Sequence, residues 1–231
     1  MNAIILAGGK GTRMREISDT PKVLLPIKGK PILEHAISNL IDYGVKKVFI
    51  CVGELPSEID YWIDDNLDRY RLEKIKDLPK TSGNSFGVLQ SMKDSNQITL
   101  LAYGDTIFNL PIEKMLSSHI QNQNDITVLV RETDHPIDSD LAWEEDGVKF
   151  SKYPHTFEYY HGKLGVSAFY ILSPQAFDIN LSEEFTEWFE LIQYFNNSGI
   201  KKIGLFKLDE GFIKDLGTPE RYINHIQNDN Y

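Results

Sequence analysis

Short apolar runs alternate with helical periods along the first half of the chain. Residues 3–6, 48–52 and 98–103 are apolar runs short enough to be buried strands. Between them, the apolar side chains of residues 32–41 and 59–67 recur every three or four positions, which predicts two amphipathic helices. This β-α-β-α-β alternation predicts a mainly parallel sheet with helices on both faces.

Residues at the ends of these segments support the helices. Pro31 suits a first helical position, and Gly44 suits the left-handed residue that follows a helix. Ser57 is a residue type that caps the first turn of a helix, so we place the start of the second helix there. A further helix is predicted over residues 86–92.

The pattern differs in the second half of the chain, where predicted strands are no longer separated regularly by predicted helices. Strands are predicted over residues 126–130, 148–150, 166–172 and 203–206, and helices over 183–195 and 219–227. We expect a single domain over residues 1–231, a three-layer α/β/α sandwich with a mostly parallel, Rossmann-like mixed sheet. Because ligands of open α/β sheets lie at the carboxyl ends of strands, the loops after Leu6 and Tyr103 should face one crevice.

Charge and composition narrow the classes of function. The chain has 231 residues, is 41% hydrophobic and carries a formal net charge of −10, which argues against general nucleic-acid binding. Its opening segment, residues 1–30, is nevertheless basic, and such a segment can concentrate a small polyanion. The single cysteine, Cys51, allows no disulfide within the chain, and no apolar stretch approaches membrane-spanning length. We expect a soluble cytoplasmic protein without nucleic-acid or membrane partners; a homo-oligomer is left open.

A glycine-rich loop follows the first predicted strand. Glycines let a backbone approach a ligand closely, and successive N–H groups can cradle phosphate oxygens. The dinucleotide fingerprint G-x-G-x-x-G fails here because Met14 occupies the third glycine position. The Walker loop fails as well, since Gly29-Lys30 is followed by Pro31.

The loop resembles the opening signature of the sugar-phosphate nucleotidylyltransferases, L-A-G-G-x-G-T-R-[LM] followed by P-K. Residues 6–14 and Pro21-Lys22 match both parts. The resemblance implies the nucleotide-diphospho-sugar transferase fold, with residues 1–110 as the nucleotide-binding half and 111–231 as the acceptor-binding half. It also implies a set of nucleotide-binding residues: Leu6, Ala7, Gly8, Gly9, Gly11, Thr12 and Arg13.

Two further motifs imply a metal site. Gly104-Asp105 resembles the family's G-D motif, and residues 215–220 match its D-x-G-T-P-E motif. The resemblance makes Asp105 and Asp215 the ligands of Mg²⁺, an ion that needs few protein ligands and keeps waters and phosphates on its other sites. The second motif also starts a helix, with Thr218 as its cap and Pro219 at its first position.

The middle of the chain resembles the family more weakly. Residues 81–89 occupy the place of the base-reading segment, which would put Asn84 and Gly87 on the nucleotide. Lys152 falls where relatives carry E-K-P and would contact the acceptor's phosphate, although Ser151 replaces the glutamate. Gly165 and Val166 lie in the strand that lines the sugar pocket of the family.

The resemblance implies direct attack by a sugar 1-phosphate on the α-phosphorus of a nucleoside triphosphate, releasing pyrophosphate, for the activated sugars of cell-surface polysaccharides. Arg13 would stabilise the leaving pyrophosphate, Lys22 would lie between the two reacting phosphates, and Asp105 would hold Mg²⁺. Such transfers depend on positioning and on neutralising charge. The G-D motif has the form Gly104-Asp105-Thr106 in this chain. This form resembles heptose 1-phosphate guanylyltransferases, which favours GTP as the nucleotide.

Three alternatives stay open. A glycosyltransferase shares this style of sheet, although those enzymes usually hold their metal with D-x-D. A cytidylyltransferase acting on a non-sugar phosphate such as phosphocholine would use the same chemistry with another acceptor. A non-catalytic nucleotide-sugar-binding paralogue is the third, but it would not need to keep Arg13, Lys22, Asp105 and Asp215 together. The motifs leave the base, the acceptor and the pathway undecided.

Overall fold

The computed structural model describes residues 1–53, 58–76, 88–89, 91–133, 135–156, 159–179, 185 and 187–228. Its strands are β1 Asn2–Leu6, β2 Pro26–Ile27, β3 Lys30–Pro31, β4 Lys47–Val52, β5 Leu72–Lys76, β6 Thr99–Tyr103, β7 Thr106–Asn109, β8 Ile126–Arg131, β9 Leu141–Glu144, β10 Val148–Ser151, β11 Leu164–Leu172, β12 Ile203–Lys207 and β13 Phe212–Asp215. Its helices are α1 Ile32–Asp42, α2 Glu58–Tyr70, α3 Ile112–Gln121, α4 Trp188–Ser198 and α5 Pro219–Asn228.

Strands from both halves of the chain form one mixed sheet. Strands β5, β4, β1 and β6 are adjacent and parallel. Strand β11 joins β6 and β8 antiparallel to both, and β12 pairs parallel to β8. Because β6 and β8 both oppose β11, they run in the same direction as β1. The carboxyl ends of β1, β6 and β8 therefore meet at one edge of the sheet.

Helices cover both faces of this sheet. Leu33 and Ile37 of α1 and Ile63 of α2 are fully buried in one apolar cluster. Leu191 and Phe195 of α4 are fully buried in a second cluster on the other face. Each helix therefore buries one apolar stripe against the β-branched residues of the strands, as the periodicity predicted. The predicted three-layer α/β/α fold is confirmed.

A second pair of strands closes one corner of the molecule. Strand β7 pairs antiparallel with β13, and the register places Thr106 opposite Asp215. A small apolar cluster beneath this pair joins Met14 of the opening segment to Leu216 and Tyr222 near the end of the chain. Segments that are about 200 residues apart in sequence are thus packed together.

Most predicted elements are present, with boundaries that shift by at most three residues, except that the helix predicted over residues 183–195 begins five residues later, at Trp188. Gly44 has φ +84° and follows α1, as expected, whereas Pro31 precedes the helix as its cap instead of being its first residue. The pairs β2–β3 and β7–β13, strands β5 and β9, and helix α3 were not predicted. Ser57 and most of the predicted helix over residues 86–92 lie outside the described residues. In the described part of the chain, no helix is both long and apolar enough to cross a membrane.

Candidate active site

A cavity of about 390 Å³ opens where the carboxyl ends of β1, β6 and β8 meet. The glycine loop and the two motif aspartates contribute one side, and residues from the second half of the chain contribute the other. Nine predicted site residues line it, and the first eight in chain order are Leu6, Gly8, Gly9, Arg13, Lys22, Asp105, Gly165 and Val166. Asp215 lines it too, so that both motif aspartates and both predicted catalytic cations face one space.

The local fold of the glycine loop positions Arg13. Gly11 adopts the left-handed conformation, with φ 58°, and starts a short 3₁₀ helix over Thr12–Glu16. Only glycine adopts that conformation without a steric penalty from a Cβ atom. Met14 is buried, which fixes the turn and leaves Arg13 exposed at the cavity.

Lys22 lies directly beneath the glycine loop. A Cβ placed on Gly9 would lie 3.4 Å from the Lys22 ammonium, and a Cβ on Gly11 would lie 3.6 Å from its Cγ. The Lys22 ammonium forms a salt bridge with Oδ2 of Asp105. Val23, the next residue, is fully buried and anchors this segment. The glycines therefore let the loop backbone pass close over a lysine that reaches the carboxylate of Asp105.

Asp105 and Asp215 approach each other closely. Oδ2 of Asp105 and Oδ1 of Asp215 each lie 2.9 Å from the point that a Cβ on Gly217 would occupy. The two oxygens are consequently less than twice that distance apart. The backbone N–H of Leu216 donates to the carbonyl of Asp105 over 2.9 Å, and β7–β13 pairing holds both segments.

The cations around the two carboxylates only partly offset their negative charge. Burial and the neighbouring charge of Asp105 raise the pKa of Asp215, while the Gly217 N–H, Arg221 and Lys22 act in the opposite direction. Arg221 donates to Oδ2 of Asp215 over 2.8 Å and to Asp138 over 3.3 Å. Two carboxylates that repel each other in a partly buried corner are the arrangement that a divalent cation relieves.

The residues present fit Mg²⁺. Oxygen is the ligand that this ion prefers, and it is commonly bound through one or two carboxylates with phosphates and waters completing its coordination. The missing side chain at Gly217 leaves space beside both carboxylates. No cluster of three or more His, Cys, Asp or Glu suited to a metal occurs among the described residues.

The remaining predicted residues fall in different places. Ala7 is buried, while Gly11 and Thr12 adjoin the cavity without forming its lining. Asn84 and Gly87 lie outside the described residues, so the base-reading segment stays a prediction. Gly165 lies against β8, where a Cβ would come within 2.8 Å of Cβ of Thr133, so only glycine fits.

Lys152 is held by two carboxylates. Its ammonium lies 2.8 Å from both Glu187 and Glu190. Burial alone would lower the pKa of Lys152, but the hydrogen bonds to these glutamates outweigh it and raise the pKa. Among the described residues, Lys152 is not part of the cavity lining.

Several lining residues escaped the sequence analysis. They include Arg131, Asp138, Asp140 and Arg221, together with Trp188 at the start of α4. For Arg131, Asp138 and Asp140, the signal was the polar segment that follows the apolar run of β8, since the carboxyl end of β8 lies at the same edge as those of β1 and β6. Burial raises the pKa of Asp140 to about 6, although the backbone N–H of Tyr153 and the charge of Lys152 oppose the shift.

The fold and the site define a nucleotidyltransferase, and known proteins agree with this class. The family model of the MobA-like NTP transferase domain matches residues 3–168. The chain belongs to this family, and the family predicted from its motifs is confirmed.

Relatives and solved structures resemble the chain over different lengths. It is 32% identical to the UTP–glucose-1-phosphate uridylyltransferase AglF of Haloferax volcanii over 137 residues, 58% of this chain and 55% of that protein. It is 28% identical to the D-glycero-α-D-manno-heptose 1-phosphate guanylyltransferase of Campylobacter jejuni over 99% of this chain and 100% of that protein. The structure of HddC from Yersinia pseudotuberculosis complexed with GMP-PN has a TM-score of 0.74, 22% identity and 98% coverage of both chains.

Coverage differs between these matches. The chain spans about half the length of the uridylyltransferase and less than a third of the bifunctional GlmU proteins of Methanococcus maripaludis that it also matches. The guanylyltransferase match runs along both proteins from end to end.

Proposed function

We propose that the chain is a sugar-1-phosphate nucleotidylyltransferase. It joins a nucleoside triphosphate to a sugar 1-phosphate and releases pyrophosphate, in a pathway that supplies activated sugars. One observation carries the proposal: Lys22, Asp105 and Asp215 from three distant segments meet beneath a glycine loop in one cavity. The relatives named above support the reaction class.

The reaction is a direct displacement at the α-phosphorus. A phosphate oxygen of the acceptor forms the new P–O bond as the bond to the leaving pyrophosphate breaks, so no covalent intermediate with the enzyme is required. The loop N–H groups and Arg13 bind the departing phosphates, and Lys22 reduces the repulsion between the two anions. Mg²⁺ bound by Asp105 and Asp215 would orient the α-phosphate and offset its developing charge.

Two cations that the motif did not suggest are candidates to bind the acceptor's phosphate. Arg131 and Arg221 line the cavity, whereas Lys152 is paired with Glu187 and Glu190. A contact between Lys152 and the phosphate stays a prediction. Such a contact requires the Lys152 ammonium to release at least one of the two glutamates and bind the phosphate instead.

We propose GTP as the nucleotide and a heptose or hexose 1-phosphate as the acceptor. The end-to-end match to the heptose 1-phosphate guanylyltransferase supports this choice over the uridylyltransferase, which aligns with little more than half the chain. Residues 1–110 then serve as the nucleotide half and 111–231 as the acceptor half.

Pyrophosphate release with each of the four nucleoside triphosphates, crossed with a panel of acceptors, tests the proposal. The panel contains D-glycero-α-D-manno-heptose, mannose, glucose and N-acetylglucosamine 1-phosphates, and phosphocholine. We expect release that requires Mg²⁺, is abolished by EDTA and is fastest with GTP. Binding of nucleotide without release from any pair would instead favour a non-catalytic protein.

Arg13 and Arg15 form a matched pair for the leaving-group assignment. Both belong to the same 3₁₀ helix and both are exposed, but only Arg13 lines the cavity. We expect Arg13→Ala to lower turnover by about 10²-fold, by analogy with the loss of one transition-state donor, and Arg15→Ala to leave it unchanged. Equal rates for the two variants would remove Arg13 from the mechanism.

A further inference from the structure

Each oxygen of the Asp215 carboxylate has a partner of its own. Oδ1 accepts from the backbone N–H of Gly217 over 2.6 Å, and Oδ2 accepts from Nη1 of Arg221 over 2.8 Å. Oδ1 is also the oxygen beside Asp105, since it and Oδ2 of Asp105 each lie 2.9 Å from the Cβ point of Gly217. The Arg221 guanidinium therefore holds one oxygen of Asp215 and leaves the other directed at Asp105.

The same guanidinium contacts a second carboxylate. Its Nη2 donates to Oδ2 of Asp138 over 3.3 Å, in the segment that follows β8. Arg221, Asp138 and Asp215 all line the cavity. A guanidinium is planar and carries its N–H donors in a rigid fork, so the direction of one contact constrains the direction of the other. Arg221 consequently links the Asp215 carboxylate to the segment after β8.

Backbone contacts anchor both ends of this link. On α5, the N–H of Arg221 donates to the capping oxygen of Thr218 over 3.3 Å, which fixes the first turn of the helix. In the segment after β8, the carbonyl of Ile137 accepts from the N–H of His155 over 3.0 Å, next to Asp138. A functional group whose supports are hydrogen-bonded in this way is oriented before any ligand binds.

Charge alone does not explain a cation at this position. The positive charge of Arg221 repels a divalent ion bound by Asp215, so any benefit of Arg221 to ion binding must come from orientation. A group that hydrogen-bonds to a ligating carboxylate orients it, and its loss typically costs about 10- to 100-fold in metal affinity. A guanidinium has five N–H donors, so the contacts to the two aspartates leave others for a phosphate.

We propose that Arg221 is a positioning residue: it sets the direction of the Asp215 carboxylate, and through its second contact it makes ion binding depend on Asp138. This inference rests on the proposed function, in which Asp105 and Asp215 hold Mg²⁺. It adds two residues that contact neither the ion nor the reacting atoms in that role. The segment after β8 and the proposed ion site are thereby oriented together.

Arg221→Lys tests the orientation, because it keeps the positive charge and removes the planar fork. Arg69→Lys is the matched control: Arg69 pairs with Glu34 over 3.5 Å and is not among the described residues that line the cavity. Mn²⁺ is the probe, and water-proton relaxation measures its dissociation constant with no nucleotide or acceptor present. Melting temperatures without metal confirm that each variant is folded.

We expect Arg221→Lys to weaken Mn²⁺ binding by about 10-fold, and Arg69→Lys to leave it within about twofold. A double-mutant cycle with Asp138→Asn then tests the second contact. Loss of the Asp138 charge itself weakens Mn²⁺ binding equally with and without Arg221→Lys, so only the part carried by the guanidinium differs. We expect Asp138→Asn to weaken binding about threefold more in the wild-type chain than in the Arg221→Lys variant.

Failure of this inference and failure of the proposed function have different signatures. Mg²⁺-dependent pyrophosphate release, with Mn²⁺ binding that Arg221→Lys does not weaken, would overturn the positioning role and keep the reaction. Equal effects of Asp138→Asn in the two backgrounds would overturn the dependence on Asp138. Mn²⁺ binding that Arg221→Lys weakens, without release from any substrate pair, would overturn the reaction and keep the positioning role. A wild-type chain that binds no Mn²⁺ would overturn the inference outright.

Discussion

At the scale of single residues, the corner around Asp105 and Asp215 is an arrangement of mutually dependent charges. Each carboxylate has its own cation, Lys22 for Asp105 and Arg221 for Asp215. These cations offset the repulsion between the carboxylates when no ion is bound. In the proposed reaction, a divalent cation that binds between the carboxylates would compete with Lys22 and release its ammonium to turn toward a phosphate.

Asp105→Asn should lower turnover by about 10²-fold or more at any Mg²⁺ concentration, because one ligand charge is lost where charge develops in the reaction. The free energy of unfolding should change little, since the lost pair with Lys22 is offset by the relieved repulsion against Asp215. Turnover across a Mg²⁺ titration measures the effect, with Asp68→Asn on the exposed side of α2 as the control. Wild-type rates at saturating Mg²⁺ would exclude Asp105 from the site.

Gly217→Ala tests the space between the carboxylates. The added methyl group would lie 2.9 Å from an oxygen of each aspartate, although the backbone at residue 217 does not have the positive φ that strains alanine. We expect the Mg²⁺ concentration for half-maximal rate to rise by about 10-fold or more, which corresponds to about 1.4 kcal/mol. An unchanged Mg²⁺ dependence in a folded variant would contradict a shared ion.

At the scale of elements, α5 shows how a helix start supports the site. The N–H of Arg221 donates to Oγ1 of Thr218 over 3.3 Å, so Thr218 caps the helix as its sequence predicted. The same helix carries the Arg221 guanidinium to Asp215 and Asp138. Helix initiation and charge placement thus depend on one short segment.

Thr218→Ala should lower the free energy of unfolding by about 1 kcal/mol, because the cap of α5 is lost. Thr218→Ser keeps a hydroxyl and should retain most of the stability. Urea denaturation of the two variants measures the difference. If both were equally stable, the hydroxyl of Thr218 would not act as a cap.

The elements that the sequence predicted well are those whose pattern is local. Strand β1 and helix α1 each have a regular apolar pattern with recognisable residues at their ends. The two short motifs likewise predicted Asp105 and Asp215, which both line the cavity. Strands β7 and β13 were missed because four-residue strands gain their order from each other across the fold. Trp188 was missed as a cavity-lining residue for the same reason, since its position depends on packing against Tyr170 of β11 and not on a local sequence pattern.

At the scale of the whole molecule, one buried histidine links three segments. Ring nitrogens of His119 on α3 lie 2.8 Å from Oγ1 of Thr127 on β8 and 2.9 Å from Oγ of Ser173 after β11. Burial lowers the pKa of His119, while the charge of Asp125 opposes the shift. The folded protein therefore holds this ring neutral.

Stability should fall in mild acid because of His119. Its pKa is lower in the folded state, so the unfolded chain binds the proton first as the pH drops below about 6.5. The contribution is complete above that pH and is lost below it, with a slope of at most about 1.4 kcal/mol per pH unit. Urea midpoints of His119→Gln and the wild-type chain between pH 7.5 and 5 should diverge. Parallel curves would show that His119 does not titrate on unfolding.

The pairing of β7 with β13 also sets when the chain can work during its own synthesis. Residues up to Asn109 leave the ribosome early with one carboxylate of the proposed ion site, and the other follows only after some hundred more residues have been added. Until Phe212–Asp215 emerges and docks, a nascent chain has the glycine loop but only one carboxylate of the proposed ion site. Catalytic competence consequently arrives late, with the final strand.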